Sequence, residues 1–125
     1  MADFNTDGNL DFILSYIEGG QTKLFKFIKD NNFNFQTNQI AVNNLNYVKI
    51  SDLDNDNKID IIGSQGANFI WLKNDGLANF TQQMSIPKPP NTNKIFAIGD
   101  LDNDSYPDLI CGHTTASSSN RIYFI

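Results

Sequence analysis

Three short stretches of this chain gather carboxylates at a spacing that suits a hard cation. They are Asp3-Phe-Asn-Thr-Asp-Gly-Asn-Leu-Asp11, Asp52-Leu-Asp-Asn-Asp-Asn-Lys-Ile-Asp60 and Asp100-Leu-Asp-Asn-Asp-Ser-Tyr-Pro-Asp108. In each, positions 1, 3, 5 and 9 carry Asp, Asn or Asp, Asp, and Asp. Alternate residues of a tight loop aim their side chains at one centre, and calcium collects about six to eight oxygens from carboxylates, amide and backbone carbonyls and water. Position 7 is Asn9, Lys58 or Tyr106 and is expected to offer its backbone carbonyl. Position 6 is Gly8, Asn57 or Ser105, at the sharp turn that favours Gly and tolerates Asn. Ser105 fits that turn least well.

Other metal motifs and ions fit less well. An EF-hand starts similarly but needs a bidentate Glu at position 12 and flanking helices. Position 12 here is Leu14, Gly63 and Cys111, and the flanks are strand-like. Magnesium keeps most of its water and calls for fewer carboxylates. Zinc or copper calls for His and Cys, of which the chain has only His113 and Cys111.

Charge supports the same reading. The 125 residues carry a net charge of -5, yet eleven of the 14 acidic residues lie in these three loops. Only Glu18, Asp30 and Asp75 lie outside them. Such crowding is repulsive unless a cation offsets it. One such loop reads equally well as a solvated turn. Three copies, 49 and 48 residues apart, point to up to three Ca2+ ions. An acidic chain also makes a poor partner for nucleic acid, and no apolar run is long enough for a membrane-spanning helix.

The loops need elements to hold them. Each is followed by an apolar run: Phe12-Ile13-Leu14, Ile61-Ile62-Gly63, Leu109-Ile110-Cys111. A polar turn and a second run come next: Lys23–Ile28, Asn68–Leu72 and Arg121–Ile125. A third strand is expected at Lys29–Phe35 and Asn74–Phe80, and further runs at Tyr47–Ile50 and Lys94–Ile98 lead into the second and third loops. The runs are short, rich in Ile, Phe and Val, and bounded by turn residues, which predicts strands. No window shows a sustained helical period.

The fold class is therefore all-β. A four-strand antiparallel unit repeating about every 48 residues reads as a propeller-type blade. Lettering the strands A to D, the chain runs B-C-D, A-B-C-D, A-B-C, or about two and a half blades in a single repeat domain. Blade 1 spans about 3–40, blade 2 about 45–88 and blade 3 about 93–125. Too few blades are present to close a ring, so the open edges predict self-association or the rest of a longer propeller. Pro87, Pro89 and Pro90 mark a connection between blades.

The loop pattern, its following strand, and Asn74-Asp75-Gly76 running to Phe80 resemble the FG-GAP/VCBS repeat family, found in integrin α-subunit propellers and in secreted bacterial proteins. The resemblance covers essentially the whole chain. It implies seven- or eight-bladed propellers, calcium in the A–B loops and an extracellular or cell-surface setting, with any signal peptide outside these residues. By matching positions, the implied ligands are Asp3, Asn5, Asp7, Asn9 and Asp11; Asp52, Asp54, Asp56, Lys58 and Asp60; and Asp100, Asp102, Asp104, Tyr106 and Asp108. Asn57 and Ser105 stand where Gly is usual.

Nothing in the sequence assembles a catalytic set. His113 lies alone in a turn, Cys111 sits in an apolar run, and Glu18 has no sequence partner. No phosphate-binding or hydrolase motif is present. Trp71 suits core packing between blades better than sugar stacking, and it corresponds loosely to Phe27 and Phe124. The expected function is a calcium-binding, non-catalytic module for adhesion, scaffolding, or binding a protein or carbohydrate ligand. The alternatives are the propeller part of a secreted polysaccharide-acting enzyme and a lectin.

Overall fold

The computed structural model describes residues 1–90, 92, 94–112 and 122–124, with Phe96 and 122–124 described through backbone alone. His113, Arg121 and Ile125 lie outside the described residues. Ten strands follow in order: β1 (Phe12–Glu18), β2 (Gln21–Lys29), β3 (Phe35–Asn43), β4 (Asn46–Ser51), β5 (Asp60–Gln65), β6 (Asn68–Asn74), β7 (Phe80–Pro87), β8 (Lys94–Gly99), β9 (Asp108–Gly112) and β10 (Ile122–Phe124). They form three antiparallel meanders, β1-β2-β3, β4-β5-β6-β7 and β10-β9-β8. The described residues include no helix. The protein is all-β, built of open, blade-like sheets.

Two details differ from the sequence reading. The stretches after Lys29 and Asn74 are turns, and the third strand of each unit begins only at Phe35 or Phe80. The reason is side-chain competition with the ladder. Asp30 Oδ1 accepts from the Asn32 and Asn34 amides at 2.8 and 2.9 Å, and Asp75 Oδ1 accepts from Leu77 and Asn79 at 2.7 and 3.2 Å. Each carboxylate also takes a side-chain bond from Asn34 or Asn79. Ala78 and Phe33 adopt φ of 59° and 62° at matching places.

The second difference is register. Trp71 pairs with Ile62, and Ile13, which follows the first loop as Ile62 follows the second, pairs with Lys26. The counterpart of Trp71 is therefore Lys26, and Phe27 corresponds to Leu72. Phe124 does occupy the Trp71 place by backbone register, opposite Ile110.

The middle sheet is covered on both faces. Ile61, Ile70 and Leu72 pack with Leu24, Ile40 and Val42 of the first sheet and with Leu45. Ile62 and Phe69 turn the opposite way and pack with Ile95, Leu109 and Cys111 of the third. Successive strand residues point to opposite faces, so consecutive apolar residues serve two separate cores. Thr92 is buried and its amide bonds the Pro89 carbonyl at 3.1 Å, closing the connection into the third sheet.

Gly63 permits the close approach of the first core. A Cβ built there falls 2.6 Å from Leu45 Cγ and 3.1 Å from the Asn46 carbonyl oxygen. Gly63→Ala is expected to destabilise the fold by about 1–3 kcal/mol in urea unfolding, as overpacked cores do. Combining it with Leu45→Ala should recover part of that loss, because the two side chains contest one space.

Candidate metal loops

The three acidic segments fold alike. In each, position 1 accepts backbone amides from further along the loop. Asp3 takes those of Asp7 and Gly8 at 3.2 and 2.8 Å, and Asp52 those of Asp56 and Asn57 at 3.1 and 2.8 Å. Asp100 takes that of Ser105 at 3.0 Å. Position 5 then accepts the amide of position 7: Asn9 to Asp7 at 2.8 Å, Lys58 to Asp56 at 3.0 Å, Tyr106 to Asp104 at 2.7 Å. Those bonds coil the backbone so that the side-chain oxygens converge.

Tight coiling demands left-handed residues, and there are two per loop. Position 6 was anticipated: Gly8, Asn57 and Ser105 have φ of 85°, 65° and 73°. Position 4 was not, yet Thr6, Asn55 and Asn103 have φ of 59°, 59° and 63°. Asn at two of these three places was the available signal, since Asn tolerates that region. Ser105 takes the same backbone turn as Gly8 and Asn57.

Position 9 ties the loop to its sheet. Asp11 and Asp60 are fully buried. Asp60 Oδ2 accepts the Leu53 amide at 3.3 Å and the Trp71 indole N–H at 3.0 Å, while Oδ1 accepts the Asn74 amide at 2.8 Å. Asp11 does the same with Phe4 and Lys29, both at 2.9 Å. Asp108 accepts from Leu101 at 2.8 Å. Burial pushes the Asp60 carboxyl above its ordinary range, and the three donors pull against that shift.

The structure therefore gives the ninth residue a structural bond set that the alternating ligand pattern does not reveal. Trp71, half-buried, likewise hydrogen-bonds to the loop through its indole N–H. Its ring lines a cleft with Ile62, Met84, Pro107 and Leu109, between the second and third sheets.

Carboxylate oxygens of Asp52, Asp54 and Asp60 lie within 4.8 Å of one another, as do those of Asp100, Asp102 and Asp108. In the first loop Asn5 replaces the third carboxylate. Its amide nitrogen donates to Asp7 Oδ2 at 3.0 Å, and its oxygen faces the Asp7 amide at 3.4 Å. These donor sets are all oxygen, hard and anionic, which fits calcium. Asp54 adds a specific sign of fit, because its Oδ1 is buried and meets no donor within the described residues. Asp56 and Asp104 do not join the convergent triads of their loops, and the first loop forms no triad of acidic oxygens among the described residues. Asp7 is held below the ordinary carboxylate range chiefly by the Asn9 amide, and Asp56 chiefly by the Lys73 ammonium. The side chains of Asn9, Lys58 and Tyr106 point elsewhere: the Asn9 amide donates to Asn31 Oδ1 at 3.0 Å, Lys58 reaches Asp56 at 3.2 Å, and Tyr106 is exposed.

The loops also link the sheets. Phe4, fully buried, stacks edge-on against Phe80 at 5.6 Å. Its carbonyl accepts from Ala78 N at 3.1 Å and Asn74 Nδ2 at 2.8 Å. Asn55 of the second loop bonds the Ser105 carbonyl of the third.

No curated protein and no solved structure matches the chain. A comparison with protein families matches residues 52–111 to the FG-GAP-like repeat. The matched segment starts at the first carboxylate of the second loop, runs through β5 to β8 and the whole third loop, and ends in β9. That segment, residues 52–111 of the 125, is similar to the FG-GAP-like repeat.

Proposed function

We propose that the chain is a calcium-stabilised, non-catalytic repeat module of an extracellular or cell-surface protein, serving adhesion, scaffolding or ligand binding. The observation that carries the reading is one oxygen-lined loop built three times on one hydrogen-bond plan. Thermal unfolding of the metal-stripped protein, with calcium added and magnesium as control, tests it. A calcium-selective rise supports the reading, and an unchanged transition sinks it.

Two features weigh against the enzyme alternative. Cys111 is buried, and burial pushes its thiol pKa up, away from a reactive thiolate. Glu18 is paired with Lys23 at the surface.

The partner reading follows from one open face. Phe12, Leu14, Tyr16, Phe25 and Phe27 share a side of the first sheet, with Phe12 stacked on Phe27 at 4.4 Å and Tyr16 on Phe25 at 5.2 Å. Leu14, Tyr16 and Phe35 are 47%, 41% and 46% exposed. By register this side matches Ile61, Ile70 and Leu72, the side on which the middle sheet is covered by a neighbouring sheet. For the 125-residue chain, the occupant we propose is a sheet of a second copy. Light scattering should show concentration-dependent association that Leu14→Lys with Phe25→Lys abolishes. A monomer at every concentration would refute it.

A further inference from the structure

Among the described residues, the second loop differs from the other two in holding a cation of its own. Lys73, near the end of β6, places its ammonium against Asp54 Oδ2 and, at 2.9 Å, against Asp56 Oδ2. All three side chains are partly buried, exposed by 30%, 27% and 24% for Lys73, Asp54 and Asp56. Those two contacts hold the ammonium above the ordinary lysine range. The register assigns the same place in the first sheet to Ile28, since Lys29 and Asn74 are the matching donors to Asp11 and Asp60. The first loop satisfies its positions 3 and 5 with a neutral amide, Asn5 to Asp7. In the third loop no ion pair to Asp102 or Asp104 is seen among the described residues.

We infer that Lys73 is a built-in counter-cation that competes with divalent metal at the second loop, so that this loop exchanges one positive charge for another. The inference rests on the calcium reading above. Asp54 is shared: one oxygen holds the ammonium, and the other is buried without a donor among the described residues. An ammonium and a divalent ion a few ångströms apart repel strongly in a partly buried site. Metal entry therefore requires the flexible lysine stem to swing away, whereas no ion pair holds a cation on the first loop among the described residues. In the metal-free protein the same ammonium relieves carboxylate repulsion within the second loop.

The test is a calorimetric calcium titration of the metal-stripped protein and of Lys73→Met, which keeps most of the stem. Asp54→Ala identifies which binding step belongs to the second loop. In Lys73→Met that step should tighten by about tenfold or more, with the other two unchanged. The metal-free Tm should fall by about 2–5 °C. Lys49→Met, in the same sheet and outside the loop, should change neither. Wild-type protein with labelled lysine nitrogens gives a measurement free of any variant: the Lys73 ammonium resonance should be hydrogen-bonded without calcium and released as calcium is added. Unchanged or weakened binding in Lys73→Met, or an ammonium signal that calcium leaves in place, overturns the competition while three calcium sites stand. A wild-type protein that binds no calcium overturns both readings.

Discussion

Asp60→Ala should lower the free energy of unfolding by about 3–5 kcal/mol, more than any surface charge change in this protein. The carboxylate is fully buried and accepts from Leu53 N, Asn74 N and the Trp71 indole. Alanine leaves these donors without their acceptor, and a buried orphan donor costs about 1–3 kcal/mol. Asp60→Asn should cost less, because the amide oxygen still accepts while its NH2 group opposes the remaining donors. Asp11→Ala should behave like Asp60→Ala, for it holds Phe4 and Lys29 in the same manner. Urea unfolding without metal reads these values. A loss below about 1 kcal/mol would mean that water replaces the carboxylate, a surface-like value.

Calcium should raise stability by about 2.7 kcal/mol for each loop at 100-fold saturation, or about 8 kcal/mol with all three filled. That gain is comparable to the whole stability of many domains, which is about 5–15 kcal/mol. Magnesium at the same concentration should give a much smaller rise. Carboxylates at positions 1 and 9 make poor probes, because Asp52 and Asp60 also hold backbone amides. Asp54 is the cleaner site: its only hydrogen-bond partner among the described residues is Lys73. Asp54→Ala should remove one loop's share of the calcium response while shifting the metal-free protein by about 1 kcal/mol or less. An undiminished response would place the ion elsewhere.

Much of this architecture is legible in the residues. Apolar runs and turn composition locate eight of the ten strands, all but β3 and β7, because runs such as Ile61-Ile62 and Phe69-Ile70 must bury two faces. The acidic loops announce themselves through period and charge. What stays hidden are bonds between distant positions. Nothing local tells that Asp60 reaches Asn74, that Phe4 closes on Ala78, or that Lys73 folds back on Asp54. These depend on register, and register fails to announce itself where Trp71 and Phe27 look interchangeable yet sit one residue out of step. The misplaced third strand had a readable cause. Asp30 with Asn34 and Asp75 with Asn79 share a four-residue spacing that closes a turn, whereas the aromatic and apolar residues around them suggest a strand.

The two-sided middle sheet has a further consequence for how the molecule comes apart. Its neighbours each lean on it through one face only, so coupling runs from one unit to the next with no hub common to all. Such a stack behaves as a nearly one-dimensional lattice, in which each unit's persistence depends on its own pairing and on its borders. Opening should begin with the terminal units and reach the central one last, since only it loses two borders at once. Nearly all strand pairing joins consecutive strands, so the loops closed during assembly are short and ordering can spread outward from whichever border forms first.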